Sequence, residues 1–155
     1  MLIVCSNEMV SEGLVELVAF AEPRRELPTI QKLLEAGARG YRDHTELFER
    51  ERSLDFVTVT TPIHTHFPIT MSAFERGIHV FLEKPPVVRI QDYRLLEERA
   101  AECGCACVVG FHDIARREIQ SLKKAIVENS IGKLKSIQGY AFWRRTDRYY
   151  ARSSW

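Results

Sequence analysis

The sequence predicts an α/β protein built on a parallel sheet, and three observations predict it. First, Phe56-Val57-Thr58-Val59-Thr60 and Ile78-His79-Val80-Phe81-Leu82 are apolar or β-branched at nearly every position, as strands buried on both faces are. Second, the segment between them is helical. Pro68 suits a first turn, Met71, Phe74 and Ile78 recur at helical spacing, and Gly77 supplies a C-terminal cap. Two buried strands joined by one helix make a βαβ unit, with parallel strands and a right-handed crossover. Third, both strands stop at proline turns, Thr61-Pro62 and Glu83-Lys84-Pro85-Pro86. Ligands of such sheets bind beyond the carboxyl ends of the strands, where these turns lie.

The remaining elements follow the same alternation. Leu2–Cys5 forms a short apolar run, but Ser6 to Gly13 is too short for a crossover helix, which with its loops needs at least ~10–12 residues. An antiparallel insertion or a disordered end is therefore expected there. Val15–Ala21 reads as a strand, followed at once by Glu22-Pro23. Leu27, Ile30, Leu33 and Leu34 line one face of a helix that ends near Gly37, and Tyr41 leads to a turn. Asp43 is placed to cap a short helix through Phe48. After the prolines, Tyr93, Leu96, Ala100 and Cys103 mark an amphipathic helix closed by Gly104, and Cys105–Phe111 is a further strand. Ala115, Ile119, Leu122 and Ile126 define another helix. Lys135–Trp143 alternates as a strand with one sheltered face would.

Composition excludes several classes. The chain has 155 residues, 45% hydrophobic, with a net charge of +1, so a packed core is affordable and no charge excess invites nucleic acid or a membrane surface. No apolar run approaches the ~20 residues of a membrane span, and Met1-Leu2-Ile3-Val4-Cys5 lacks a signal-peptide pattern, so a cytoplasmic location is expected. Cys103, Cys105 and Cys107 alternate without the C-x₂₋₄-C spacing of zinc sites, and they read as reduced core thiols with no metal. Trp143–Arg152 mixes arginines with aromatics, but one such stretch in a near-neutral chain is poor support for nucleic-acid binding.

The motif T-P-x-x-x-H at Thr61, Pro62 and His66, followed one helix later by E-K-P at Glu83, Lys84 and Pro85, resembles the glucose–fructose oxidoreductase/inositol dehydrogenase (Gfo/Idh/MocA) family. The resemblance runs from about Val15 to Trp155. It implies a Rossmann-like parallel sheet and nicotinamide-dependent oxidation or reduction of a small sugar, polyol or related hydroxyl compound. The chain departs from the family in carrying no G-x-G anywhere, which is the glycine turn that opens a dinucleotide-binding fold. The expected fold is therefore a Rossmann-like sheet lacking a recognisable first βα unit, over residues 1–113. Residues 114–155 would be the linking helix and first strand of a truncated second, α+β domain that leads to the substrate.

The resemblance also assigns roles. Lys84 is the catalytic candidate, since the cofactor carries the hydride and the protein must position substrate and move a proton. Thr61, Pro62, His66, Glu83 and Pro85 are candidates for cofactor contact. Glu22 ends the second strand of the family's fold, where an acid holds the adenosine ribose hydroxyls. It favours NAD, while Arg24 and Arg25 could hold the extra phosphate of NADP. A cis Lys84-Pro85 bond is expected, with the amine over the cleft shared with Thr61-Pro62. Ile63 replaces an Asn common in the family, His64 is a surface residue, and His112 is a weak match. The chain is expected to be inactive alone, with homo-oligomers possible for a longer form. The alternative is a non-catalytic dinucleotide- or ligand-binding regulatory module on the same fold.

Overall fold

The computed structural model describes residues 12–151. Leu2–Cys5 and the orientation expected for it lie outside the described residues. The chain divides into two compact units between His112 and Asp113. In the first, five short strands alternate with helices: β1 (Ala19–Ala21), α1 (Pro28–Glu35), β2 (Arg39–Tyr41), α2 (His44–Arg50), β3 (Phe56–Val59), α3 (His66–Phe74), β4 (His79–Leu82), α4 (Ile90–Cys103) and β5 (Cys107–Val109). β1 pairs with β2, and β3, β4 and β5 form a second sheet in that order. Every pair is parallel. The fold is α/β and Rossmann-like.

The predicted local signals act as expected in the central unit. Asp43 accepts a hydrogen bond from the Glu46 backbone N–H at 2.9 Å and so caps α2. Gly77 and Gly104, with φ of 71° and 66°, take the left-handed conformation that ends α3 and α4. Beyond each glycine the chain turns back, with the Ile78 N–H on the Ala73 carbonyl at 3.1 Å and the Cys105 N–H on Ala100 at 3.0 Å. One core joins the sheets: Ala19 and Ala21 of β1, Leu47 and Phe48 of α2, Val57 and Val59 of β3, Ile69, Ala73 and Phe74 of α3, and Val80 and Leu82 of β4 pack together. A cavity of about 30 Å³, lined by Leu17, Val18, Ala19, Leu54, Phe56 and Val57 among others, separates the approach to β1 from β3. Among the described residues no strand pairs with both β1 and β3.

Four predicted features differ. The strand over Val15–Ala21 is ordered as a strand only from Ala19, because pairing extends only as far as β2 reaches; the last contact is the Arg39 N–H on the Val18 carbonyl. Arg39–Tyr41, read as the approach to a turn, is a strand, since β1 supplies its partner. β4 is buried on one face only. Val80 and Leu82 join the core with the helices, while Phe81 is exposed on the other face, beside exposed Val108 of β5. Cys107–Val109 is likewise shorter than the predicted Cys105–Phe111.

The second unit holds helix α5 (Arg117–Val127) and the five-residue α6 (Asp147–Ala151). A single 3-10 turn, His112–Ala115, precedes α5. Lys135–Trp143 forms no strand. Its alternating side chains meet no partner strand, and both Ile137 and Phe142 are exposed, Phe142 at 90%. An alternating pattern specifies a strand only when a neighbour takes its hydrogen bonds. The sequence also gave no hint of α6, where Arg145 sits 4.5 Å over the Tyr149 ring. No described helix is long and apolar enough to cross a membrane.

Cys103, Cys105 and Cys107 carry free thiols. Burial, reinforced by Cys103, pushes the Cys105 thiol up to about 11, so it is protonated and unreactive at neutral pH.

Two contacts fix β2, and each supports a prediction. A methyl group on Gly40 would lie 2.9 Å from Phe20 Cζ and 3.2 Å from Leu34 Cδ2. Phe20 is fully buried and cannot withdraw. Gly40→Ala is expected to destabilise the fold by about 1–3 kcal/mol, the usual cost of overpacking, read from the urea midpoint at unchanged slope.

Glu51, just after α2, accepts from Arg39 Nε at 2.5 Å, Arg39 Nη2 at 2.7 Å and the Tyr41 hydroxyl at 2.6 Å. The Arg39 bonds outweigh the opposing effect of burial, and with help from Tyr41 they hold the Glu51 carboxyl below its ordinary 4.5. A carboxylate with a depressed folded-state pKa stabilises fully above its unfolded value, and that contribution fades as pH falls through the folded value. Thermal midpoints should therefore show Glu51→Gln less stable than the parent at pH 7, with the gap narrowing as the pH falls below 4.5. A gap that is constant with pH would refute an electrostatic role.

Candidate functional site

The candidate site is assembled from strand ends. Val59 pairs with Leu82, so the residues that leave β3 and β4 emerge side by side. The Glu83 N–H donates to the Val59 carbonyl at 2.9 Å, and the Gly110 N–H to the Leu82 carbonyl at 2.8 Å. The ladder thus continues one residue past each strand before the chains diverge.

After β3, Thr60-Thr61-Pro62 turns into a short 3-10 segment, Ile63–Thr65, that runs directly into α3. The Thr65 N–H closes this turn on the Pro62 carbonyl at 2.9 Å. The Thr65 hydroxyl lies 2.6 Å from Thr61 Oγ1 and 2.7 Å from the Pro62 carbonyl oxygen. Thr61 is buried, whereas Pro62 and His64 are exposed. After β4, the Lys84-Pro85 bond is cis, as the sequence predicts. The Glu83 side chain folds back, so that its Oε2 accepts the Lys84 backbone N–H at 2.8 Å. Its Oε1 lies 3.6 Å from where a Gly110 side chain would begin, so the carboxylate leans over β5.

His66 joins the two turns. Its ring is 2% exposed, with Nε2 2.8 Å from the Thr61 carbonyl oxygen and Nδ1 3.0 Å from that of Pro85. Both ring nitrogens are thus committed to main chain, and the ring itself does not line an open surface.

Lys84 is exposed at the end of β4. The reason is the turn itself: Glu83 holds the Lys84 backbone, and among the described residues no hydrogen bond or ion pair holds its amine. The ammonium is available to a ligand at the edge of the sheet.

Glu22 lies at the end of β1, its N–H donating to the Tyr41 carbonyl at 3.1 Å. It is 2% exposed, and its Oε1 accepts the Arg24 backbone N–H at 3.1 Å and Arg24 Nε at 3.0 Å. Burial opposes ionisation, but hydrogen bonds, those of Arg24 prominent among them, bring the carboxyl below its ordinary value. Arg25 is turned to the Gly40 carbonyl, which its Nη2 reaches at 2.7 Å.

The structure therefore brings Thr61, Pro62, His66, Glu83, Lys84 and Pro85 into one constellation, while Glu22 stands at the end of the other sheet. Sequence reasoning missed Thr65 and Gly110. Thr65 is a spacer position in T-P-x-x-x-H, so a motif reading passes over its hydroxyl. Gly110 follows β5, and its N–H on the Leu82 carbonyl carries the ladder to the point where Glu83 leaves β4.

A nicotinamide dinucleotide can be tested against these residues. A carboxylate at the end of β1 and polar turns at the ends of β3 and β4 are the donor and acceptor set that such a ligand needs across a parallel sheet. A glycine turn for its phosphates is absent from the sequence. The strand-end residues would therefore be the ones to meet the two ends of such a ligand.

Comparison with known proteins bears on the same strands. The profile of an oxidoreductase family with an NAD-binding Rossmann fold matches residues 7–111. Over 91 residues the chain is 31% identical to scyllo-inositol 2-dehydrogenase (NAD(+)) of Bacillus subtilis (strain 168), which covers 59% of this chain and 26% of that enzyme. An inositol dehydrogenase homolog from Azotobacter vinelandii, solved with NADH and myo-inositol, aligns with a TM-score of 0.63 and 29% identity, over 66% of this chain and 29% of that one. The WlbA dehydrogenase from Chromobacterium violaceum, solved with NADH and UDP-GlcNAcA, aligns with a TM-score of 0.79 over 95% of this chain and 42% of that one; at 24% identity this likeness speaks to the fold. The chain spans about a quarter of the length of the curated relative it matches. The profile match over more than half the sequence, on a Rossmann-like sheet with both family motifs at adjacent strand ends, shows that the chain belongs to the Gfo/Idh/MocA family of oxidoreductases.

Proposed function

We propose that the chain serves the oxidation or reduction of a sugar, polyol or related hydroxyl compound with a nicotinamide cofactor, NAD in preference to NADP. The observation that carries this reading is the convergence of the Thr61-Pro62 and Glu83-Lys84-Pro85 turns on a single buried ring, His66, at the carboxyl ends of adjacent parallel strands. Bound there, the cofactor supplies hydride chemistry that no side chain in the site possesses.

The chain's own residues divide the remaining work. Lys84 offers an exposed ammonium that can donate a hydrogen bond to a substrate hydroxyl oxygen and move its proton. Glu83, fastened to the Lys84 backbone, fixes where that side chain starts. Thr61, Pro62 and Pro85 shape the wall on which the nicotinamide end would rest. Glu22 marks the adenosine-ribose end. A carboxylate there favours the free hydroxyls of NAD, and Arg24 beside it moderates the repulsion that the additional phosphate of NADP would meet. Residues 1–113 form the dinucleotide-binding part in this reading, with 114–155 leading toward the substrate, and the family resemblance supplies the substrate class.

Two outcomes test the proposal. Because no G-x-G is present to cradle the phosphates, NADH added to the 155-residue chain should bind only in the millimolar range. Amide resonances of Glu22, Thr61, Glu83 and Lys84 should shift together as it binds. Micromolar saturation would mean that another segment holds the phosphates, and an absence of shifts at these four residues would sink the cofactor reading.

In a whole protein carrying this chain, with a polyol such as myo-inositol as substrate, Lys84→Ala is expected to lower kcat by about 10²-fold or more, the range for losing a general acid–base group. Its NADH dissociation constant should stay close to that of the parent. Unchanged turnover would remove Lys84 from the mechanism and favour a non-catalytic binding module.

A further inference from the structure

We propose that His66 is a positioning residue that sets the site's geometry by fastening the Lys84-Pro85 turn to the Thr61-Pro62 turn. The inference rests on the cofactor reading of these turns but concerns the chain alone. Motif reading casts His66 as a cofactor contact. The ring is instead buried, and each nitrogen faces a main-chain carbonyl, Thr61 at 2.8 Å and Pro85 at 3.0 Å.

Those carbonyls need donors. Each belongs to a chain that has just left its β ladder; the Thr61 carbonyl is buried, where lacking a partner is costly, and the Pro85 carbonyl, on an exposed residue, meets the ring in a part-buried bond. A carbonyl oxygen only accepts, so the ring must supply the proton. A neutral imidazole donates from one nitrogen and an imidazolium from both, so the ring bridges the turns when Nδ1 carries a proton for the Pro85 carbonyl, its own backbone already belonging to the Thr61 side.

Position makes this tie consequential. His66 is the first residue of α3, and Thr61, which it reaches back to, lies just after β3. Pro85 lies just after Lys84. The ring therefore spans the gap between the ends of β3 and β4, where the ladder has stopped after the Glu83 N–H to Val59 bond. Thr65 bonds within its own turn and Glu83 within its own, whereas the His66 ring faces a carbonyl of each. Without the ring, the backbone that carries Lys84 would be anchored by the β4 ladder on one side and by the packing of Val87 against the core on the other, with no side-chain bond to the His66 helix.

The test uses the unliganded 155-residue chain. In the wild type, a ¹⁵N-edited spectrum of the imidazole should show an Nδ1–H that exchanges slowly, as the donor to the Pro85 carbonyl must; protection of Nε2–H alone would overturn the proposal. A ring whose protons all exchange as fast as those of an exposed histidine overturns the proposal, and this measurement needs no variant. His66→Phe keeps the ring volume and removes both donors. It is expected to speed amide exchange at Glu83 and Thr65 by roughly tenfold or more, and to shift the Lys84 side-chain methylene resonances, while the Glu46 and Arg39 amides remain protected. His66→Asn keeps one amide donor close to the Nδ1 position and should restore most of the Lys84 signal. A uniform loss of protection across the chain in His66→Phe, with no rescue by His66→Asn, would show that the ring only fills space and would overturn the positioning role. These readouts involve no cofactor. Failure here leaves the NADH reading intact, and missing NADH shifts with the clamp present would fault that reading instead.

Discussion

The site depends on the parallel register of β3 and β4. With Val59 opposite Leu82, the two chains reach the edge of the sheet at the same height. A one-residue slip would invert every side chain and send Val80 and Leu82 to the face where Phe81 is now exposed. The helices hold the register by packing on one side: Ile69, Ala73 and Phe74 of α3 and Leu96 of α4 all belong to the core that takes Val57, Val59, Val80 and Leu82. Apolar packing thus decides where a histidine, a lysine and two threonines can meet. The polar contacts at the strand ends refine a geometry that the core has already imposed.

The second sheet is held differently. β1 and β2 contribute only three residues each, and much of their support is polar and local. Glu51 gathers Arg39 and Tyr41 from alternate positions of β2, and Arg25 reaches across to the Gly40 carbonyl. Phe20 packs against Gly40, where no larger residue fits. Glu22 at the end of β1 inherits its position from this arrangement, since its own N–H continues the ladder onto Tyr41.

The central βαβ unit was legible in the sequence because its signals are local and agree with each other: β-branched runs, a proline in the first helical turn, and glycines with positive φ after α3 and α4. The E-K-P and T-P-x-x-x-H motifs located the turns for the same reason. Illegible features were those whose cause lies elsewhere in the chain. Arg39-Gly40-Tyr41 has no strand pattern of its own and becomes a strand because β1 runs beside it. Lys135–Trp143 has the pattern and no neighbour. The ring of His66 is committed to Pro85, 19 residues away, a distance at which spacing within a motif carries no information. The exposure of Lys84 depends on the fold of Glu83 back onto its neighbour's N–H, a contact that no propensity scale encodes.

The all-parallel pairing also governs how the chain can come into being. Among the described residues each strand pairs with one separated from it by a complete helix, so no hairpin among them can form early and stand as a local seed. On a ribosome, β3 must wait until α3 and β4 have cleared the exit tunnel before its outward hydrogen-bonding edge is met, and β4 must wait in turn for α4 and β5. The order β3-β4-β5 in space is also the order of synthesis, so each newly emerged strand adds to the outer edge of the sheet already made. The Thr61 turn is translated first, His66 follows it, and the Pro85 carbonyl arrives last, so the ring is in place before its second partner leaves the tunnel.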